Sequence, residues 1–373
     1  MRCRLLFALA LVTPAFPALA QTCEDRSTDY AARITLCAQA FAAAETPDAA
    51  ALALAFKGEA QRMLGDFDAA AQTLGEALEY TPANAWVWVE LGNVRYDQQD
   101  IAGALAHYSA ALAVEDYAAA WANRAEAWWE FRMAQNCSDD ADQALRLDPQ
   151  YAYANEVKGR CLVDLGRAEE ALSYFDTALA LAPGYQNAYR NKMSALAALE
   201  RHEEVVALAT EALRPGVVAN PSPKIEEDIL ARRLLALSRY AAPDVVAAEA
   251  DALLARYPQS YAAINVKGRA LLAQGDAAAA DQVTAVLRSN PEGISLRADY
   301  LETLARIDVM LGRLDGAFAN YSAALTADPG LSKTYARKLS ELGFLPLSSA
   351  PAGVLTTLRR CLDVKKAACL VAS

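Results

Sequence analysis

The sequence predicts an all-α fold of repeated antiparallel helix pairs, and three observations lead to that prediction. Ala accounts for 85 of the 373 residues, and Ala is the strongest helix former and lets helices pack closely. Gly and Pro recur at intervals of 33 or 34 residues, as in Gly58–Gly92, Pro149–Pro183 and Pro258–Pro291. Apolar residues between them recur at three- and four-residue spacing, which is typical of amphipathic helices. A fixed period of this length is typical of a solenoid of stacked units.

One motif occurs three times, at Phe56–Gly58, Val157–Arg160 and Val266–Arg269, with a Lys-Gly pair in each copy. A second Gly follows seven residues after the first, and an Ala follows five residues after that. We expect the first Gly to let a second helix approach closely, and the second Gly to end the first helix. Pro then ends the pair, because it cannot continue a helix. The positions concerned are Gly58, Gly65 and Ala70, then Gly159, Gly166 and Ala171, then Gly268, Gly275 and Ala280.

These positions resemble the signature of the tetratricopeptide repeat family. The best unit is Ala152–Tyr185, which has Gly159, Leu162, Gly166, Ala171, Phe175, Ala178 and Pro183 at the signature places. The resemblance implies a right-handed α-solenoid, a superhelix in which the first helix of each pair lines a concave groove. It covers roughly eight units, of which the fifth is degenerate and the sixth is weak. The last unit spans 38 residues from Pro291 to Pro329, so we expect its first helix to be longer.

The sequence predicts a division of the chain into six segments. A signal peptide is expected at 1–20, an N-terminal capping segment at 21–50 and repeats one to five at 51–214. A linker or inter-repeat loop is expected at 215–225, repeats six to eight at 226–330 and C-terminal capping helices at 331–373. Capping segments are expected because terminal repeats must cover an otherwise exposed apolar face.

The first twenty residues have the pattern of a bacterial secretory signal peptide. Arg2 and Arg4 precede a short apolar stretch, and Ala18-Leu19-Ala20 is a small-x-small cleavage site. The apolar stretch is too short to span a bilayer, so no membrane span is expected. We therefore expect cleavage after Ala20 and a mature chain that is exported to the periplasm.

Six Cys remain once Cys3 has left with the signal peptide, and an even number in an oxidising compartment favours disulfides. Fifteen pairings of six Cys are possible. The local pairing closes the shortest loops, so it is the one we predict. For the middle couple, the alternative is that both are unpaired core residues. The predicted couples are Cys23 with Cys37, Cys137 with Cys161, and Cys361 with Cys369.

Composition argues against several classes of function. The net charge of -11 argues against a nucleic-acid binder, which needs a basic surface. The chain has 2 His and no Gly-rich phosphate loop, G-x-S-x-G, C-x-x-C or H-E-x-x-H motif. Acidic clusters such as Asp139, Asp140 and Asp142 fall at predicted helix starts, where carboxylates favour the helix dipole. We therefore expect no catalytic site, cofactor or metal.

The resemblance places nine residues of units two to four on the concave groove. Exposed aromatic rings beside amides suit an extended peptide. The alternative is that the two Asn are typical of the family at these places and that the aromatics pack between repeats. Trp88, Trp121 and Trp128 are expected in the core instead. The predicted groove residues are Trp86, Val89, Asn93, Tyr96, Asn123, Glu126, Trp129, Tyr153 and Arg160.

The sequence thus favours a non-enzymatic periplasmic scaffold that binds a protein or peptide in the groove. The alternative is a cell-envelope accessory factor that binds peptidoglycan or assists a cell-wall enzyme, because Trp86 and Trp129 could stack on sugars. The chain from residue 331 onwards carries 7 basic and 2 acidic residues, in contrast to the acidic repeats. That asymmetry could guide self-association, or the basic residues could simply be solvated.

Overall fold

The computed structural model describes residues 23–25, 27–218, 221–290, 297–344, 350–365 and 369. The predicted signal peptide lies outside these residues. Nineteen helices and no strand occur in the described ranges, which confirms the all-α prediction. The chain divides into two compact units, Met1–Ala195 and Leu196–Ser373. Among the described helices, none has the length and apolar character needed to cross a membrane.

The first unit begins with α1 (Tyr30–Ala42) and continues with four helix pairs. The first helices of successive pairs also touch one another, so they form one face of the unit, which we call the first-helix face. A further helix, α10 (Gln186–Ala198), follows the pairs and crosses the division between the units. The pairs are α2 (Pro47–Met63) with α3 (Phe67–Tyr80), α4 (Ala85–Asp97) with α5 (Ile101–Val114), α6 (Ala118–Glu130) with α7 (Ala134–Leu147), and α8 (Ala152–Asp164) with α9 (Ala168–Leu181).

The second unit begins with the rest of α10, and α11 (His202–Ala212) precedes three helix pairs. The predicted linker at 215–225 lies inside this unit, and its last residues already belong to the next helix. Two helices follow the pairs, α18 (Leu331–Glu341) and α19 (Pro351–Lys365). The pairs are α12 (Pro223–Leu237) with α13 (Pro243–Arg256), α14 (Tyr261–Ala273) with α15 (Ala277–Ser289), and α16 (Ala298–Met310) with α17 (Leu314–Ala327).

The expected lengthening of the last repeat's first helix is wrong. Helix α16 has 13 residues, as α14 has. The additional residues precede the helix: α14 begins three residues after Pro258, whereas α16 begins seven residues after Pro291.

The repeated Gly and Ala positions have the predicted roles. A Cβ atom at Gly159 would lie 2.5 Å from Cε1 of Phe175, which is fully buried on the second helix of the pair. Gly166, at the end of the first helix, has a φ of +74°, a left-handed conformation that favours Gly. Ala171 is fully buried where the two helices cross. The same geometry recurs at the corresponding Gly and Ala of the other two motif copies.

The six Cys lie in the three local pairs that the sequence predicts, with their sulfur atoms within disulfide distance. The Cα atoms are 4.9 Å apart for Cys23 and Cys37, and 5.8 Å apart in each of the other two pairs. The middle pair joins α7 to α8 and so links two consecutive repeats. The first pair ties the segment before α1 to that helix.

Peptide mapping of the unreduced protein is expected to give these three local cross-links. A closed loop of about fifteen residues contributes roughly 3 kcal/mol of stability by the chain-entropy model. Alkylation of all six thiols in the native, unreduced protein would contradict the scheme. Alkylation of Cys137 and Cys161 alone would mean that the middle pair consists of unpaired core residues.

A buried ion pair connects α1 to α2. Arg33 is only 1% exposed, and its Nη2 donates to Oε2 of Glu59 at 2.9 Å. Its Nε donates to the carbonyl oxygen of Cys23 at 3.3 Å. Arg33 therefore holds together the disulfide-linked segment, α1 and the first repeat.

Candidate functional site

Polar side chains join the first helices of three consecutive repeats in the first unit. The hydroxyl of Tyr96 on α4 donates to Oε1 of Glu126 on α6 at 3.2 Å. Nη1 of Arg160 on α8 donates to both carboxylate oxygens of Glu126, at 2.9 and 2.6 Å. Three of the predicted groove residues thus contact one another directly across the repeats.

The two predicted Asn are also brought together. Oδ1 of Asn93 accepts hydrogen bonds from Nδ2 of Asn123 at 3.1 Å and from the hydroxyl of Tyr108 at 2.9 Å. Nδ2 of Asn93 donates to Oε1 of Glu90 at 3.2 Å. Both Asn side chains are thus already hydrogen-bonded within the protein.

The predicted groove aromatics are half-buried between repeats. The ring of Trp86 lies 4.8 Å from that of Phe56 in the preceding repeat. The guanidinium of Arg160 covers the ring of Trp129, with Cζ 3.7 Å from the ring centroid. Tyr153 makes an edge contact with the ring of Tyr151, and burial raises the pKa of its hydroxyl.

The placement of Val89 in the groove is wrong. Val89 is 3% exposed and packs in a hydrophobic cluster with Ala85, Ala104 and Tyr108, so it cannot line a binding surface.

Helical register also fails to separate the Trp residues into groove and core. Trp88, Trp121 and Trp128, expected in the core, are only partly buried, as are Trp86 and Trp129. Nε1 of Trp121 reaches the surface and donates to Asp116 at 2.6 Å. A side chain as large as Trp is rarely buried completely, which is why its position in the register does not decide its exposure.

A cavity of about 180 Å³ opens beside Trp129, and we call it the Trp129 cavity. Nε1 of Trp129 is buried and has no hydrogen-bond partner among the described residues. Buried donors without partners are rare and cost about 1–3 kcal/mol each. Trp129 thus combines an unpaired buried donor with a place in the cavity wall. The cavity is lined by Trp129, Arg160, Val163, Asp164, Phe175, Asn191 and Ser194.

A buried carboxylate, Glu156, lies next to the cavity. Nδ2 of Asn191 on α10 donates to its Oε1, and the hydroxyl of Tyr185 donates to its Oε2 at 3.4 Å. Burial raises the pKa of Glu156 to about 7, although Arg160 lowers it. Asn191 and Ser194 are not predicted from the sequence because their repeat is degenerate. The residue 34 positions after Val157 is nevertheless Asn191, on α10.

No group of three or more His, Cys, Asp or Glu in the described part of the chain is arranged to hold a metal ion. Two carboxylates of the first-helix face are partnered instead with neighbouring side chains: Glu126 with Arg160 and Tyr96, and Glu156 with Asn191.

Two models of one repeat family match the chain. A model described as TPR repeat matches residues 58–99, and one described as tetratricopeptide repeat matches 139–186 and 266–332. Together with the observed helix pairs, these matches show that the chain is a tetratricopeptide repeat protein. Repeats of this class generally act as scaffolds for protein interaction and present extended concave surfaces.

Solved structures show the fold alone, at low sequence identity. The chain is similar to the APC/C hetero-tetramer Cut9-Hcn1, with 12% identity and a TM-score of 0.54, covering 70% of this chain and 49% of that one. It is also similar to PilF of Pseudomonas aeruginosa, with 18% identity, a TM-score of 0.49 and coverage of 58% and 96%. A tetratricopeptide repeat protein from Parabacteroides merdae has 12% identity, a TM-score of 0.49 and coverage of 69% and 100%. No curated protein sequence matches the chain significantly.

Proposed function

We propose that the protein is a non-enzymatic periplasmic scaffold that binds a protein or peptide on the first-helix face of its first unit, at the Trp129 cavity. The buried indole N–H of Trp129 carries this proposal, because it has no acceptor within the described chain. A backbone carbonyl of an extended peptide would supply that acceptor. Phe175 and Val163 offer apolar contacts in the same cavity.

The proposed binding site contains fewer residues than the groove that the sequence predicts. Tyr96, Asn93, Asn123 and Glu126 already hydrogen-bond within the protein, so a ligand would gain little by breaking those bonds. Their role in the proposal is to hold Arg160 over Trp129 and to fix the spacing of the repeats. The ligand contacts are assigned to Trp129 and the cavity wall.

Export to the periplasm remains part of the proposal and has its own test. The signal-like N-terminus and the three Cys pairs at disulfide distance support it. The protein is expected in a periplasmic extract, with an intact mass that begins at Gln21. An intact mass that retains 1–20 would contradict export with cleavage.

The peptidoglycan-binding alternative has less support. Sugar stacking needs an open aromatic face. Arg160 covers the ring of Trp129, and Phe56 packs against Trp86. Sedimentation with purified peptidoglycan, compared with a pull-down from periplasm, separates the two functions.

A photo-reactive residue in place of Asp164, which lines the cavity, is the first test of the proposal. Cross-linking in intact cells is expected to attach a protein at this position and to identify it. The matched control replaces Asp139, which is exposed on α7, outside the first-helix face. Equal cross-linking from both positions would contradict a specific site at the cavity.

Trp129→Phe is then expected to weaken binding of the identified partner roughly fivefold to tenfold, since one hydrogen bond contributes about 1 kcal/mol. The variant keeps an aromatic ring beneath Arg160. Removing the unpaired buried donor stabilises the fold, whereas the smaller ring loses packing contacts, so the melting temperature should change little. Trp121→Phe is the matched control, because its indole N–H is bonded to Asp116 at the surface. If Trp129→Phe leaves the dissociation constant unchanged, the site lies elsewhere.

A further inference from the structure

Three arginines of the second unit lie near one another without an acidic partner. Arg269 on α14 and Arg306 on α16 line a cavity of about 180 Å³. Ser238, which caps the end of α12, also lines this cavity, and Arg239 is the next residue in the chain. None of the three side chains forms an ion pair or hydrogen bond with another described residue. Nε of Arg306 is buried with no hydrogen-bond partner. The rest of the lining is apolar: Ala241, Pro243, Val246, Val266, Ala270 and Ala273.

The first unit shows what these arginines lack. Arg160 ends the motif Val157–Arg160, as Arg269 ends Val266–Arg269. Arg160 pairs with Glu126, which stands 34 residues earlier. The residue 34 positions before Arg269 is Leu235, which cannot neutralise it. The repeat that follows then adds a second cation, Arg306, instead of an acid.

The cavity wall carries the positive charges of Arg269 and Arg306, which favour the binding of an anion. Burial lowers the pKa of Arg269, and the charges of Arg239 and Arg306 lower it further, against a smaller opposite effect of Asp299 and Glu302. Both acids are engaged elsewhere: Asp299 pairs with Arg297, and Glu302 accepts a hydrogen bond from the hydroxyl of Tyr335 at 2.8 Å. Like charges placed together in a cavity oppose folding, and such groups are concentrated at functional sites.

We propose that this arginine cavity binds the carboxylate of an acidic side chain in a peptide segment of a protein partner. A guanidinium presents its N–H groups in a fork that matches both oxygens of a carboxylate. The volume is several times that of one water molecule, about 30 Å³, so a Glu side chain fits with its aliphatic stem on the apolar wall. Inorganic phosphate would satisfy the arginines but leave that wall uncovered. The peptide as the source of the carboxylate rests on the proposed function, whereas the oxyanion chemistry rests on the arginines.

The test measures fluorescence anisotropy of fluorescein-labelled hexaglutamate titrated with the full mature chain. Hexaglutamate is expected to bind, and hexaglutamine of the same length is not. Arg269→Gln and Arg306→Gln should each weaken binding at least tenfold, and Arg269→Lys should weaken it less. Arg256→Gln is the matched control, because Arg256 is already paired with Glu226, and it should change binding less than twofold.

Folding is checked on the same variants. Arg269→Gln removes like-charge repulsion, so its melting temperature should equal or exceed that of the wild type. Loss of hexaglutamate binding in a variant with a normal or raised melting temperature supports the proposal. Equal binding of hexaglutamate by the wild type and by both Gln variants would overturn it.

Two further measurements test which anion the arginine cavity binds and whether this cavity acts independently of the Trp129 site in the first unit. Inorganic phosphate that binds more tightly than hexaglutamate, in calorimetric titrations at equal ionic strength, would overturn the peptide assignment. If Trp129→Phe has no effect on partner binding while the arginine variants lose hexaglutamate, the proposed Trp129 site fails and the arginine cavity stands. If Trp129→Phe weakens partner binding while the arginine variants bind hexaglutamate as the wild type does, the arginine cavity is rejected and the Trp129 site stands.

Discussion

Glu59→Gln is expected to lower the free energy of unfolding of the first unit by about 3–5 kcal/mol, because it leaves the buried charge of Arg33 without its carboxylate. Arg33 is among the largest fully buried side chains of the described chain. Its other polar partner is the carbonyl oxygen of Cys23, and its guanidinium lies 5.9 Å from the ring of Phe56. Gln keeps the size of Glu, so the change removes charge and creates no cavity.

Tryptophan fluorescence during guanidinium unfolding measures this effect. All 5 Trp lie between residues 86 and 129, so their emission reports on the first unit. The double variant Arg33→Met with Glu59→Leu should recover most of the loss, since apolar residues often replace a buried ion pair at little cost. If the double variant is less stable than Glu59→Gln, the cost does not come from an unpaired buried charge.

The sequence predicts the repeats well because each repeat is specified locally. Gly159 and Gly166 constrain the backbone within one helix pair, and their spacing is visible without knowing any distant contact. The Cys couples are predicted for the same reason, since the partners in each couple are near in sequence. The start of α16 is not predicted, because the interval between successive Pro residues does not fix where the next helix begins.

The candidate site is predicted less well because its contacts join different repeats. The helical register places Glu126 and Arg160 on one face of the repeats. It does not predict that these two residues, 34 positions apart, form an ion pair. Val89 and Trp86 are close in the register, yet one is in the core and the other packs on Phe56. A comparison of charges at equivalent repeat positions could have found the arginine cavity, since Arg269 and Arg160 end the same motif.

Glu156 gives the first unit a pH-dependent stability, and Glu156→Gln is expected to remove it. Burial raises the pKa of Glu156 from its ordinary value of 4.5 to about 7, and the partly compensating charge of Arg160 does not outweigh burial. Between these pH values the folded chain holds a proton that the unfolded chain has released. This contribution to stability is therefore complete below pH 4.5 and is lost as the pH rises through 7.

The difference in unfolding free energy between wild type and Glu156→Gln isolates this group, because contributions shared by both proteins cancel. Tenfold in proton affinity corresponds to about 1.4 kcal/mol, so the stability of the wild type relative to the variant should fall by roughly 3 kcal/mol between pH 4.5 and pH 8.

Glu170→Gln in the same repeat is the matched control with the opposite sign. Glu170 is exposed, and hydrogen bonds from Arg167 lower its pKa. Its contribution is present above the ordinary pKa and is lost as the pH falls, so its difference curve should slope the other way. A Glu156→Gln difference curve that is flat, or that slopes like that of Glu170→Gln, would show that Glu156 is charged in the folded protein throughout this range. Arg160 would then be neutralised from two sides, by Glu126 and Glu156, and would owe its position over Trp129 to both.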